Sequence, residues 1–182
     1  MLEDYLKTVE DLGERVDRLT NSIVELVESW SLRPLVKALQ AMRGINVISA
    51  TVLAAEIGDF SRFEHPRQLM SYLGLVPSEH SSGQTRRQGA ITKSGSRHAR
   101  RLLVEAAWHY RRPPRRGTTL QRRHDGQPAQ ALAISWKAQQ RLHQLWHRLD
   151  TQRGKRKTVV AVAVARHLAG FCWAITTTNP ET

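Results

Sequence analysis

The stretch "PLVKALQAMRGINVISATVLAAEIGDF", residues 34–60, decides the fold class. Apolar residues recur at steps of three and four on both sides of Gly44-Ile45-Asn46, which predicts two short helices joined by a tight turn. Pro34 suits the first turn of the first helix, because its missing N–H would have no intrahelical partner there. The pattern is typical of a helix-hairpin-helix over residues 34–58.

The turn itself contains two candidate nucleic-acid-binding residues, Gly44 and Asn46. Backbone N–H groups at such a turn and at the start of the second helix often bind a phosphate. Asn46 stands where many hairpins of this kind have a second glycine, and asparagine adopts the left-handed backbone less freely than glycine. The alternative is an ordinary helical turn that serves only for packing.

The first 30 residues show an unbroken heptad pattern. Its apolar positions are Leu2, Tyr5, Val9, Leu12, Val16, Leu19, Ile23, Leu26 and Trp30. Four heptads of this kind favour a coiled coil that pairs with another protomer over residues 1–31, whereas a helix packed on its own domain is the alternative.

The remainder, residues 32–182, is predicted to be one compact helical domain. Helical patterns begin near Pro66, at Gly95-Ser96, at Ala131 and at Thr158, and no segment sustains a period-two alternation. The fold class is therefore predicted to be all-α, with a basic DNA-binding loop and helix over residues 74–124. Within it, "RRPPRRGTTLQRRHDGQP", residues 111–128, is expected to be a mobile basic loop.

The charge of the chain points to a polyanionic partner. The net charge is +12, but residues 1–30 hold three basic residues against eight acidic ones, so the rest of the chain has a larger excess of positive charge. Between Arg86 and Arg123 there are eleven arginines and one lysine against Glu105 alone. We expect this run to bind nucleic acid rather than to be only a solvated face. Its candidate contacts are Arg86, Arg87, Lys93, Arg97, Arg100 and Arg101.

Other kinds of site find little support in the sequence. The eight histidines form no zinc motif, and the acidic residues after position 30 are scattered singly, so we expect no metal site and no cofactor in this chain. The single cysteine, Cys172, excludes an internal disulfide and fits a reducing compartment. No apolar run approaches the roughly 20 residues that span a bilayer, so no membrane association is expected.

A serine pair lies in "HSSGQTRR", residues 80–87, beside a glycine and two arginines. A serine hydroxyl is a poor nucleophile unless its proton is removed or neighbouring cations stabilise its attack on phosphorus. The arginines meet the second need. From these local features alone, a structural turn serine is the better interpretation.

A longer comparison changes that interpretation. The string "LMSYLGLVPSEHSSGQTRRQGAITKSGSRHARRLLVEAAW", residues 69–108, resembles the C-terminal transposase domain of the insertion sequence 110 family, relatives of the pilin-gene invertases that include RNA-guided members. The resemblance extends through "GINVISATVLAAEIGDFSRF" upstream and "RGKRKTVVAVAVARHLAGFCWAI" downstream. The combination of a hairpin, G-L-x-P, S-G, I-T-K-x-G and a closing helix is fairly specific.

The resemblance implies a two-part enzyme that acts in DNA transposition and recombination. In the family, a serine of the C-terminal domain attacks DNA and becomes linked to it, and a RuvC-like N-terminal domain supplies four acidic residues that hold Mg²⁺. A coiled coil between them is used in dimerisation. Carried over, Ser82 is the expected nucleophile, with Ser81 as the alternative. DNA and a guide RNA are the implied partners, together with a homo-oligomer.

The sequence departs from the family pattern in one respect: Met1 directly precedes the coiled coil, and no carboxylate domain precedes it. We therefore expect this chain alone to be inactive, as a truncated remnant, an internal-start product or a half complemented by another chain. The competing function is a non-catalytic helix-hairpin-helix module or RNA-binding regulator. Either protein would work in the cytoplasm, associated with the nucleoid.

Overall fold

The computed structural model of the chain describes residues 1–82 and 85–178, and at residues 80–82 and 85–88 it describes the backbone only. The helices are α1 (Leu2–Ser29), α2 (Arg33–Gln40), α3 (Val47–Ile57), α4 (Pro66–Tyr72), α5 (Arg97–Ala107), α6 (Thr118–His124), α7 (Ala129–His147) and α8 (Lys157–Thr177). A 3-10 turn, Trp108–Arg111, follows α5, and a π-helical turn, Arg148–Gln152, follows α7. The fold is all-α as the sequence predicted, with one small antiparallel hairpin between α4 and α5.

Helix α1 lies outside the core. Its 28 residues give it a length of about 42 Å. Along α1 only Val27, near its C-terminus, is buried, whereas Leu2 is 74% and Val16 is 61% exposed. The helix contacts α2 and α3. The apolar heptad positions along most of α1 therefore face solvent in the single chain.

Helix α8 is the centre of the core, and α2, α4, α5 and α7 all pack against it. The expectation that no segment is apolar and long enough to cross a bilayer was wrong. Within the described residues, α8 is the one helix that has the length and composition to do so, with 21 residues and an 18-residue window of mean hydropathy 1.6. The physical reason is its place in the fold: helices cover it on several sides, so it is apolar around most of its circumference.

A tight turn joins α2 to α3, as predicted. Leu39, Met42 and Ile45 are completely buried along it, and they anchor the helix pair in the core. This packing brings the turn against the C-terminal end of α5, the helix that contains Arg97, Arg100 and Arg101.

Candidate nucleic-acid interface

The serine pair lies on a β-hairpin, not on the loop that the sequence indicated. Strand β1 spans Pro77–Ser82 and strand β2 spans Thr85–Ile91. The antiparallel ladder pairs Ser81 with Arg86 and Ser82 with Thr85. Paired residues of such a ladder have main chains about 5 Å apart, so the hairpin gathers serine and arginine positions closely.

Part of the predicted site falls outside what the structure describes. The side chains of Ser81, Ser82, Arg86 and Arg87 lie outside the described residues, as does the whole of Gly83 and Gln84. For these four predicted site residues, the structure gives the backbone position of each in the β-ladder.

The base of the hairpin is closed by hydrogen bonds to the last turn of α4 and to the residues that follow it. The N–H of Thr92 donates to the carbonyl of Val76 at 2.9 Å, and the N–H of Lys93 donates to the carbonyl of Gly74 at 3.1 Å. The hydroxyl of Ser94 donates to the carbonyl of Ser71 at 3.3 Å. These bonds fix the direction in which the hairpin leaves the helical core.

Gly95 makes the closest approach in this closure. Its φ of 69° is in the left-handed region, and a methyl group added to it would lie 1.9 Å from the carbonyl oxygen of Tyr72. Such a distance is far inside van der Waals contact, so only glycine fits both the conformation and the space. The glycine of the I-T-K-x-G motif thus holds the hairpin against α4.

Lys93, two residues earlier, is a predicted nucleic-acid contact with an unusual backbone. Among the described residues other than glycine, it alone has a positive φ, of 59°. A side chain in this region costs about 1 kcal/mol or more relative to glycine. The exposed ammonium group of Lys93 thus stands at the base of the hairpin at an energetic cost to the backbone.

Helix α5 begins directly after this closure. Ser96 caps it, with its hydroxyl oxygen accepting a hydrogen bond from the N–H of Ala99 at 3.1 Å. Arg97 and Arg101 lie one turn apart on its exposed face. Arg101 forms an exposed ion pair with Glu105 at 3.6 Å, whereas Arg97 forms none with a described residue. An exposed pair of this kind contributes little energy and leaves Arg101 able to exchange partners.

Arg100 has a different environment from these two neighbours. Its guanidinium donates to the carbonyls of Leu73 at 3.0 Å and Ser94 at 2.8 Å. The side chain is half-buried, and it connects α5 to both sides of the hairpin base. Arg100 therefore positions the hairpin. A phosphate could bind its guanidinium only by sharing it with these two carbonyls or by displacing them.

The α2–α3 turn meets this basic region from the other side. Gly44, with a φ of 85°, lies so close to α5 that a methyl group on it would be 2.8 Å from the carbonyl oxygen of Ala106. Asn46 is exposed and caps α3, its side-chain oxygen accepting from the N–H of Ser49 at 2.8 Å. Its φ of −90° is ordinary, so the absence of a second glycine places no strain on the turn.

Two residues that sequence reasoning missed hold the same turn. The guanidinium of Arg123 donates to the carbonyl of Ile45, and the buried ring of His124 donates to the carbonyl of Ala41 at 2.9 Å. Both belong to α6, in the segment expected to be a mobile loop. That expectation was wrong over Thr118–His124, because these contacts and the burial of Leu120 stabilise a short helix there. The absence of proline between Pro114 and Pro128 was the signal that favoured a helix.

Cations are concentrated around the turn. The pKa of His109 is lowered by burial first, and then by the positive charges of Arg43, Arg112 and Arg123. Arg43 is itself engaged, donating to the carbonyl of Pro113 at 2.9 Å. Such an arrangement of positive charge attracts anions, and phosphate groups are the anions for which arginine is best suited.

The described residues of the interface do not form a metal-binding site. In residues 1–82 and 85–178, no group of three or more His, Cys, Asp and Glu side chains is arranged to hold one. The described residues thus do not fit the Mg²⁺ that the family resemblance implies.

The fold and the site define a helical domain with a basic face, formed by the exposed Lys93, Arg97 and Arg101, and a β-hairpin whose base Arg100 joins to α5. Residues 36–125 match the family model described as "Transposase IS116/IS110/IS902 family". The chain therefore belongs to this transposase family, as the sequence resemblance indicated.

Individual relatives agree with this assignment. A Sinorhizobium fredii protein named as a transposase, y4qE, is 52% identical over 84% of this chain and 39% of its own length. The transposase for insertion sequence element IS1533 of Leptospira borgpetersenii is 29% identical over 84% of this chain and 44% of its own length. The transposase for insertion sequence element IS1111A of Coxiella burnetii is 36% identical over 38% of this chain. The chain thus spans less than half the length of these relatives.

The closure at Gly95 leads to a prediction about stability. Gly95→Ala should lower the free energy of unfolding by at least about 2 kcal/mol, because the new methyl group meets the Tyr72 carbonyl in a backbone region unfavourable to alanine. Urea unfolding followed by circular dichroism measures this change. Gly117→Ala is the matched control, since Gly117 has a φ of −77° and open space around it. Equal stability of the two variants would contradict the closure.

Proposed function

We propose that this chain is the DNA-binding, serine-bearing part of a transposase that acts in DNA transposition and site-specific recombination. The observation that carries the proposal is that the serine hairpin lies inside the segment that matches the transposase family and that its base is joined to the basic helix α5 through Arg100. Its implied working place is the nucleoid in the cytoplasm.

DNA is the proposed partner of the basic face. Lys93, Arg97 and Arg101 are exposed close to the hairpin base, where side chains of this kind bind phosphate oxygens of a duplex. Backbone N–H groups at the start of α5 add to the attraction for a phosphate. Gly44 and Asn46 belong to the same proposed face through the contact of their turn with α5. A guide RNA is a further proposed partner, by resemblance to the family.

Ser82 is the proposed nucleophile. Its Oγ would form a bond to a DNA phosphorus while one phosphate–sugar ester bond breaks. The hydroxyl proton passes to a base, and a proton adds to the departing sugar oxygen. Arg86 and Arg87, on the facing strand, would stabilise the negative charge that develops on the phosphate. In the ladder Ser81 faces Arg86 and Ser82 faces Thr85, so the register itself does not favour Ser82, and the choice of Ser82 over Ser81 rests on the family motif.

The acidic half of the proposed active site would come from a RuvC-like domain. Since the described residues do not fit a metal ion, we assign no step of the reaction to Mg²⁺ within them. The proposal is a composite site in which serine and arginines meet carboxylates of another domain. The 182 residues alone are then expected to recombine no DNA.

A non-catalytic helix-hairpin-helix module, or an RNA-binding regulator, is the second candidate. The observation that favours it is the α2–α3 turn, which is held by contacts with α5, α6 and the core. Such a module would bind nucleic acid through the same basic face and would form no covalent bond.

A covalent trap separates these functions. The purified chain is mixed with a nicked suicide duplex, Mg²⁺ and the carboxylate domain of a relative, and protein–DNA adducts that survive denaturation are measured. Ser82→Ala should abolish the adduct, because it removes the attacking oxygen. Ser78→Ala is the matched control, since the Ser78 hydroxyl is occupied by the carbonyl of Ala90 at 3.0 Å.

The remaining outcomes are also decisive. Loss of the adduct in Ser81→Ala but not in Ser82→Ala would assign the reaction to Ser81. DNA binding without an adduct from any of these proteins would contradict the catalytic proposal and support the binding module.

We also propose that α1 pairs with a second copy of the chain as a coiled coil. Its heptad positions are apolar but exposed, and a single helix with such a seam is stable in water only when the seam is covered. The segment carries a net negative charge, so it does not compete for the DNA.

Leu19→Glu should weaken self-association at least about tenfold, because it places a charge in the apolar seam. Sedimentation equilibrium measures the change in dissociation constant. Asn21→Glu adds the same charge at an outward position and should leave association unchanged. A monomeric unmodified chain, or an equal effect of both substitutions, would contradict the coiled coil.

A further inference from the structure

A second basic concavity lies between α7 and α8, away from the segment that matches the family. It encloses about 680 Å³ and is lined by residues of α7, the π-helical turn and α8. Its charged and titratable lining consists of Arg141, His143, His147, Arg148 and His167. No carboxylate is among the described residues that line it. A concave site with several converging cationic groups fits an anion.

The cations of this pocket have no internal partner. Arg141 and Arg148 form no ion pair with any residue that the structure describes, and both are exposed. The nearest acidic residue in sequence is Asp150, in the π-helical turn, and it does not line the pocket. By contrast, Arg100 and Arg123 are used to hold backbone carbonyls. The pocket arginines therefore remain available to an external ligand.

The local backbone supports a site rather than an accidental groove. The π-helical turn Arg148–Gln152 interrupts the regular end of α7 and contributes Arg148 and Gln152 to the pocket wall. Turns of this kind occur frequently at functional sites. On another wall, the Nδ1–H of His143 donates to the carbonyl of Tyr110 at 3.1 Å, which fixes the orientation of its ring.

Charge accumulates around the same place. The pKa of His167 is lowered by burial first, and then by the positive charges of Arg166, Arg141 and Arg148. The basic run "RGKRK", residues 153–157, follows the π-helical turn directly and leads into α8. From Arg141 to Arg166 the chain has seven Lys and Arg residues against Asp150 alone. An anion bound here would lie in a field of one sign supplied by three elements.

We propose that the α7–α8 pocket binds a backbone phosphate of a nucleic acid, as a second contact separate from the face at α5. Arg141 and Arg148 would bind the phosphate oxygens with their planar forks, and an N–H of His147 or His167 would complete the site. The residues 153–157 would extend the contact along the nucleic-acid backbone. This inference rests on the proposed nucleic-acid binding of the chain, and it adds a site to it.

The test compares three double variants of the full chain, each of which removes two positive charges. Arg141→Gln/Arg148→Gln removes the pocket cations, and Arg97→Gln/Arg101→Gln removes the cations of α5. Lys7→Gln/Arg18→Gln is the matched control, because both residues are exposed at outward heptad positions of α1. The affinity for a fluorescent duplex DNA is measured by anisotropy over a range of salt concentrations.

The pocket variant should bind the duplex about three- to tenfold more weakly than the control, with the slope of log K against log salt reduced by about 1. Binding equal to that of the control would overturn the inference. If only the α5 variant binds more weakly, the inference fails while the proposed function stands. If neither variant differs from the control, the basic face and the pocket both fail as DNA-binding sites.

The pocket could also bind free phosphate, and a second measurement distinguishes free phosphate from a backbone phosphate of nucleic acid. Inorganic phosphate at constant ionic strength should raise the Tm of the unmodified chain only slightly, and should compete poorly with the duplex. A large rise in Tm that is lost in Arg141→Gln/Arg148→Gln, together with unchanged duplex affinity, would show a site for free phosphate and would contradict nucleic-acid binding.

Discussion

The close approach of Gly95 to the Tyr72 carbonyl is the constraint on which the geometry of the candidate site depends. The chain after strand β2 thereby lies against the end of α4. Arg100 connects this contact to α5 by donating to the carbonyls of Leu73 and Ser94. The hairpin therefore leaves the core in one direction, beside the exposed arginines of α5. A nucleophile on a hairpin needs this kind of support, because catalytic groups act only when they are held close to a productive geometry.

The sequence predicted the helices better than it predicted the hairpin. Helix α1 has a long and regular heptad pattern, and α8 is a nearly all-apolar segment of helical length, so both are visible in the sequence. The hairpin has six and seven residues in its strands, with a glycine, serines and arginines in place of alternating apolar residues, so no period-two signal was present. Its stability comes from the closure with α4, which is a tertiary contact and leaves no local pattern.

The sequence also could not predict which arginines of the candidate site are free to bind a ligand. From composition alone, every arginine is an available cation. In the structure, some arginines hold backbone carbonyls and others are exposed without an ion pair to a described residue. Arg100 and Arg123 hold carbonyls of the hairpin base and of the α2–α3 turn, whereas Arg97 and Arg141 are exposed and form no described ion pair. Spacing along the chain could not separate these groups, because the carbonyl partners of Arg123 and Arg100 lie 78 and 27 residues away.

Lys93 gives the most direct test of the claim that the face at the hairpin base binds nucleic acid. Its left-handed backbone favours glycine, so Lys93→Gly should keep or raise Tm while it removes the charge. The measurement is the salt dependence of duplex DNA affinity for Lys93→Gly beside Lys93→Gln. We expect weaker binding and a slope lower by about 1 in both variants. Unchanged affinity and slope in a fully folded Lys93→Gly would contradict it.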